Sequence, residues 1–260
     1  MPWALRGLRN GIVTTRYPRK ADPDISYDSV VRPLHGPIEV GEVAGLCPTG
    51  AITVDDRRGP RVDQGRCIGC GHCVRERPQL FGWTGGELAR TSRDALIVPE
   101  SPQDDEAVEA VRRALAKKTA AFGRSLHVRH VDCGSDGSEE WEILALQNPV
   151  YDLHRLGVFF TASPRHADVL LVTGAGARGM AAPLRRTLEA TPRPVVVIAA
   201  GTDAISGGLI APTYAVASEG IGELIDVDIW VPGSPPTPLA LLHALLLATG
   251  RAVSLGRGSA

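Results

Sequence analysis

Two residue runs stand out by being apolar almost without interruption. Residues 167–172 (Ala-Asp-Val-Leu-Leu-Val) and 194–199 (Pro-Val-Val-Val-Ile-Ala) are rich in β-branched side chains, the pattern of strands buried on both faces. A third run, residues 225–231, alternates Ile, Val and Trp with Asp. Between the first two, Met180, Leu184 and Leu188 recur at helical spacing. Strand, helix, strand predicts a parallel α/β unit with a right-handed crossover. From Leu239 to Ala248 the chain is apolar except for His243, which predicts a buried or half-buried helix. That stretch is far short of the roughly 20 residues a membrane-spanning helix needs. Nearer the start, Ala51-Ile52-Thr53-Val54 alternates like a short strand awaiting a hairpin partner. Behind Pro99 and Pro102, acidic Asp104, Asp105 and Glu106 precede basic Arg112, Arg113, Lys117 and Lys118, the order a helix dipole favours. Val108, Val111 and Leu115 share one face, so residues 99–120 read as a helical linker.

The first 20 residues carry Arg6, Arg9, Arg16, Arg19 and Lys20 with no acidic residue, interleaved with Trp3, Leu5, Leu8, Ile12 and Val13. Two readings stand: an amphipathic arm that docks on a membrane surface or an integral partner, or a solvated basic tail. No apolar stretch follows the arginines as a secretory signal requires, so a soluble, intracellular protein is expected. At 260 residues the chain has room for one to two domains. Hydrophobic residues at 43% and charged residues at 22% exclude a disordered or fibrous chain. A formal net charge of −1 gives no global positive field, so no nucleic-acid partner is expected.

Cysteine spacing carries the chemistry. Cys47, Cys67, Cys70 and Cys73 lie close in sequence, with Cys133 apart, and no secretory signal argues for disulfides. Cys67-Ile68-Gly69-Cys70-Gly71-His72-Cys73 is a C-x-x-C-x-x-C run, and Cys47 precedes Pro48. A tight loop with a thiolate every third residue wraps three corners of an iron–sulfur cube, and Gly69 and Gly71 let backbone amides approach the sulfides. A Cys-Pro is the usual source of the fourth thiolate. A two-cluster ferredoxin would place a further ligand at position 77, which is Arg77 before Pro78, and others at Pro37, Val40 and Val43. One cluster keeps four ligands and the other loses four. The expectation is one [4Fe–4S] cluster on Cys47, Cys67, Cys70 and Cys73. The alternative is a four-Cys zinc site, although zinc ribbons favour two separated C-x-x-C knuckles.

Residues 35–98 thus resemble a bacterial-type ferredoxin, which implies a small α+β fold. The string Arg6-Gly7-Leu8-Arg9-Asn10-Gly11-Ile12-Val13 resembles the start of ferredoxin-like subunits of formate hydrogenlyase-type complexes, which favours the docking reading of the arm. Further on, Gly174-Ala175-Gly176-Ala177-Arg178-Gly179 is a literal G-x-G-x-x-G after a strand and before a helix, with Asp203 after the next strand. That is the context of a dinucleotide fingerprint; the rival is a glycine-rich turn in a flavodoxin-like sheet.

Six strings in order carry a second resemblance. They are His130-Val131-Asp132-Cys133-Gly134-Ser135, Leu144-Ala145-Leu146-Gln147-Asn148-Pro149, Tyr151-Asp152, the run from Ser163 to Gly174, Ala204-Ile205-Ser206-Gly207-Gly208, and Val231-Pro232-Gly233-Ser234-Pro235-Pro236. They resemble the small subunit of group 4 [NiFe] hydrogenases of the formate hydrogenlyase type, which is homologous to the B-type subunit of NADH-quinone oxidoreductase. The resemblance implies a flavodoxin-like α/β domain carrying its own [4Fe–4S] cluster. The four ligand positions of that pattern hold Asp136, Glu139, Asp203 and Ser234 instead of cysteine. Carboxylates and hydroxyls suit hard cations, not the soft iron of these clusters. These four residues are left to bind Mg²⁺, pair with a basic residue such as Arg165, or solvate the cavity.

The organisation expected is a basic docking arm (1–34), a single-cluster ferredoxin-like domain (35–98), a helical linker (99–120), and a small-subunit-like domain (121–260). Function follows as an electron-transfer and scaffold subunit of a hydrogenase- or complex I-like oxidoreductase. It would sit in the cytoplasm at the inner face of the cell membrane. Its partners would be a large subunit, integral membrane subunits and a further ferredoxin-like electron donor. No acid–base or nucleophile constellation is evident, and His127, His130, His154 and His166 read as packing or interface residues. Two alternatives remain: a structural or regulatory paralogue whose second domain only holds a complex together, and an NAD-linked reductase using the loop from Gly174 to Gly179.

Overall fold

The computed structural model describes residues 3–22, 25–34, 43–55, 59–86, 88–99, 110, 113, 114, 116–118, 120 and 125–251. Helix α1 (Trp3–Asn10) opens the chain. Strand β1 (Asp28–Pro33) lies within the stretch read as the arm. It pairs antiparallel with β4 (Phe81–Gly85). Strands β2 (Ile52–Asp55) and β3 (Gly59–Asp63) form the expected antiparallel pair, and β5 (Ile97–Val98) adds to the far side of β3. The short helix α2 (His72–Glu76) follows the cysteine loop. Val30, Val31, Ile52, Val62, Leu80 and Phe81 pack into a small core together with Cys67 and Cys73. Of the linker, residues 110, 113, 114 and 116–118 are helical, while Val108, Val111 and Leu115 lie outside the described residues.

The C-terminal half is a five-stranded parallel sheet: β6 (Leu126–Asp132), β7 (Val158–Phe160), β8 (Val169–Thr173), β9 (Val196–Ala200) and β10 (Ile229–Val231). Their spatial order is β10-β9-β8-β6-β7. Both predicted core strands, β8 and β9, are buried at every position, as a sheet covered on both faces requires. Alternation sorts their side chains into two layers. Val169, Leu171, Val196 and Ile198 face α3 (Ser138–Ala145) and α6 (Pro238–Leu247). Leu170, Val172, Val197 and Ala199 face α4 (Arg178–Ala190) and α5 (Thr202–Ser206). Met180, Leu184 and Leu188, the helical repeat read from sequence, lie on α4 against that second layer.

Helix α6 is buried at all ten positions. Thr237 caps it, its Oγ1 accepting the Ala240 N–H at 3.2 Å, and Pro238 starts the first turn. An all-apolar helix needs cover on its outer side as well. The segment after α1 helps supply it: Tyr17 and Ile25 join the α6 core, and the Tyr17 hydroxyl meets His243 Nδ1 at 2.5 Å. The Thr15 N–H donates to the Val150 carbonyl and Thr14 Oγ1–H to that of Pro149, both at 2.8 Å. Residues 14–17 are therefore fastened to the C-terminal half. At the β10 edge, Arg90 and Trp230 exchange two backbone hydrogen bonds of 2.9 and 2.7 Å, so the N-terminal half closes one open edge of the sheet. Among the described residues no helix is long and apolar enough to cross a membrane.

Candidate iron–sulfur centre

The four predicted cysteines line one pocket with Val31, Leu46, Ile52 and Val62. Cys47 ends a helical turn (Ala44–Leu46), and its Sγ accepts the Ala51 N–H at 3.2 Å. Thr49 Oγ1 stands 3.4 Å from the same sulfur and donates to the Arg66 carbonyl at 2.6 Å, which holds the Cys-Pro segment against the cysteine loop. Within that loop Gly69 and Gly71 adopt φ of +64° and +67°. A Cβ on Gly69 would stand 3.0 Å from the Ser29 carbonyl oxygen, and one on Gly71 would stand 2.7 Å from the Trp83 ring. Both glycines are thus required by backbone angle and by space. Cys73 then falls in the first turn of α2.

Cys67 and Cys73 are buried, Cys47 is half-buried and Cys70 is exposed. Burial pushes the Cys67 thiol above its ordinary pKa and the Cys73 thiol up to about 11, and neighbouring cysteine thiols add to both shifts. Four thiolates crowded into an apolar pocket disfavour one another's charge unless something positive is bound among them. An iron–sulfur group has that character, so donor set, apolar wall and N–H···S contact fit it. The sulfurs do not converge on one point: among the described residues, no three or more His, Cys, Asp or Glu side chains are placed to hold a single metal ion. Of the positions a second cluster would use, Arg77 is exposed at the end of α2 and Val43 is a core residue; Pro37 and Val40 lie outside the described residues.

The residues at the other four ligand positions behave differently. Asp136, ahead of α3, accepts from the Ser138 N–H and Oγ–H at 2.9 and 2.6 Å, which holds its carboxyl below the usual range. Glu139, in the first turn of α3, is 2% exposed. Burial, then the charges of Asp203 and Asp136, raises its carboxyl to about 7. Asp203, in the first turn of α5, is also raised by burial and by Asp136. These three carboxylates come together; Ser234 instead lines a separate cleft with Ser29, Gly69 and Glu142. Arg165 is exposed and makes no ion pair with them among the described residues.

Contacts that the sequence did not announce join the two sites. Thr202, fully buried beside Asp203, donates its hydroxyl to the Cys67 carbonyl at 2.8 Å, with the Gly233 carbonyl at 3.2 Å. A Cβ on Gly65 would stand 2.6 Å from Ile205, and Arg66 pairs with Glu219 at 3.2 Å. The cysteine loop is therefore seated directly on the turn that carries Asp203. The glycine-rich loop of residues 174–179 is occupied internally. Ala175 and Ala177 donate to the carbonyls of Gly134 and Cys133, and Arg178 donates to that of Ala215. Gly174, at φ +80°, packs so closely that a Cβ would stand 2.4 Å from the Ser135 nitrogen. Those donors are spent on packing, and no phosphate cradle is formed there. Two of the predicted packing histidines have partners within the fold: His130 bonds Thr173 and Glu140 at 2.9 and 3.2 Å, and His154 stacks on Phe159.

Comparison with known proteins places both halves. Residues 136–248 match the family described as NADH ubiquinone oxidoreductase, 20 kDa subunit. A probable membrane-bound hydrogenase subunit, mbhJ of Pyrococcus furiosus, is 38% identical over 151 residues, 56% of this chain and 90% of that protein. The chain belongs to the NADH ubiquinone oxidoreductase 20 kDa subunit family. Another relative of that family domain, formate hydrogenlyase subunit 7 of Escherichia coli, is 39% identical over 158 residues. That match spans 61% of this chain and 60% of the relative's length. Residues 61–117 match a 4Fe-4S single cluster domain. The 20 kDa subunit domain is therefore fused here to a ferredoxin-type iron–sulfur domain. The matched stretch contains Cys67, Cys70 and Cys73 and begins after Cys47, whose place beside them comes from the shared pocket. A chain of the membrane-bound sulfane sulfur reductase, an archaeal respiratory membrane complex, aligns with 27% identity over 51% of this chain and 74% of its own. Its TM-score is 0.44, a likeness too slight to assign the fold.

Proposed function

We propose that this chain is an electron-transfer and scaffold subunit of a membrane-associated hydrogenase- or complex I-like oxidoreductase. One [4Fe–4S] cluster would be held by Cys47, Cys67, Cys70 and Cys73. The observation that carries the reading is that those four cysteines line one apolar pocket whose loop is bonded, through Thr202, to the family domain. When bound, the cluster supplies one-electron chemistry. The chain's own residues do the rest. The Ala51 N–H and Thr49 hydroxyl lie against the Cys47 sulfur, where hydrogen bonds tune potential. The apolar wall limits water, and Thr202 fixes the loop to the second domain. The strand order, 2-1-3-4-5 when numbered within the C-terminal domain, supports a flavodoxin-like assignment for it. The working division is an arm (1–34), a ferredoxin-like domain (35–98), a linker (99–120) and a small-subunit-like domain (121–260). The partners are a hydrogenase- or complex I-type large subunit and integral membrane subunits, at the inner face of the cell membrane. Leu8 and Ile12 at 80% and 86% exposure, with Arg6 and Arg9 beside them, support a docking role for the arm.

A specific observation favours a second reading for the C-terminal domain alone. Asp136, Glu139, Asp203 and Ser234 stand at all four ligand positions that the resemblance implies, so that domain would hold the complex together and carry no electron. Purification from detergent-solubilised membranes tests both. The tagged chain should bring down a large subunit and integral membrane proteins; recovery as a free monomer contradicts the assignment. Cys70→Ser should assemble normally yet abolish electron flow through the complex. Full turnover by that variant would favour the structural reading for the whole chain.

A further inference from the structure

The cleft that Ser234 lines lies between the two halves of the chain and has a volume of about 620 Å³. Strands β1 and β4 and the cysteine loop form one wall, and α3 and the start of α6 form the other. Small-molecule sites of this size favour such junctions. The chemistry of the cleft is one-sided. Two carboxylates line it, Asp28 on β1 and Glu142 on α3, and no Lys, Arg or His does. Neither carboxylate has an ion-pair partner among the described residues. Arg75, which crowds Gly71 together with Trp83, donates to the Cys70 carbonyl at 3.0 Å. Burial raises the Glu142 carboxyl. It also pushes the Tyr151 phenol up to about 12, and the acidic groups of Tyr27, Glu142 and Asp22 add to that shift. The lining supplies no cation to offset this charge.

Three aromatic residues, Tyr27, Trp83 and Tyr151, line the same space, and the rings of Tyr27 and Trp83 are exposed. Rings beside carboxylates attract a cation through the ring quadrupole as well as through charge. Ser29 also lines the cleft, and its buried Oγ has no hydrogen-bond partner among the described residues. We infer that this cleft binds an organic cation bearing a guanidinium or primary ammonium group. Asp28 and Glu142 take the charged head, and Trp83 and Tyr27 cover its apolar stem. A bare metal ion fits less well, because among the described residues no three His, Cys, Asp or Glu side chains are placed to hold one. The head group can come from a free amine or guanidine, or from an arginine side chain of a bound protein. The inference does not depend on the cluster reading above.

Calorimetry on the full chain, purified without air, tests the site with two probes. One is butylguanidinium, a free cation, with butylurea as its neutral counterpart. The other is the peptide acetyl-Gly-Arg-Gly-amide, with citrulline in place of arginine as its neutral counterpart. At least one cationic probe should bind saturably, and its neutral counterpart should not. Glu142→Gln and Asp28→Asn should each weaken the Kd about tenfold. Trp83→Leu should weaken it about fivefold, and Tyr27→Ala, at an exposed ring, should act in the same direction and serves if Trp83→Leu misfolds. Glu189→Gln on α4, away from the cleft, should leave the Kd unchanged. Binding of the peptide alone supports the site and assigns it to a partner's arginine. Binding of butylguanidinium at least as tightly supports it and assigns it to a free cation. No saturable binding by either probe, equal affinity for the neutral counterparts, or a Kd indifferent to Glu142→Gln and Asp28→Asn overturns the proposal.

Discussion

Glu139 holds a carboxyl in a buried site next to two others, and its pKa moves from 4.5 to about 7. A raised folded pKa means that the folded chain keeps this proton more tightly than the unfolded chain does. Its contribution to stability is complete below about pH 4.5 and is lost as pH rises through about 7. Glu139→Gln cannot ionise, so the Tm of the variant relative to the parent should climb between those pH values and then level off. A difference that does not change with pH would remove the argument. Thr202→Val leaves the Cys67 carbonyl without its donor, while the Thr202 N–H still serves the Gly233 carbonyl, and should cost about 1–3 kcal/mol in denaturant unfolding. At this scale the cysteine spacing was legible because thiolates at fixed intervals have few uses. Thr202 was not: a threonine at the start of a helix is usually a local cap, and its bond to Cys67 crosses between the two halves of the chain.

Among the elements, β8, β9 and α4 were readable because parallel strands buried on two faces must be apolar throughout. The strand β6 was missed although it lies inside the sheet, between β8 and β7. His127, Arg129 and His130 interrupt its apolar positions, and only the finished structure gives them partners such as Asp168, Thr173 and Glu140. Residues 225–231 shorten to β10 at residues 229–231. Asp228 leaves the strand pattern to accept the Val197 N–H at 3.0 Å and pair with Lys118. Helix α6 carries much of the packing, so Leu241→Ala should cost about 2–5 kcal/mol. Helix α1 should behave in the opposite way. Removing residues 1–13 should leave Tm unchanged, because the fastening begins at Thr14, but should weaken recovery with the membrane fraction. Unaltered recovery would return the arm to a solvated tail.

In the whole molecule, two halves of different ancestry meet at the cysteine loop. The Thr202 bond, the Arg66–Glu219 pair and the Arg90–Trp230 bridge all span that boundary. The cysteine loop of the first half is bonded to Thr202, next to Asp203, one of three carboxylates at the positions where the resemblance implies cysteines. The division of labour between the halves therefore turns on where iron is held. Iron and acid-labile sulfide counted on anaerobically purified chain, with spectroscopy of the reduced protein, test that most directly. About four Fe per chain and one paramagnetic centre are predicted. An iron-free protein, or about eight Fe with two distinct centres, would contradict the account.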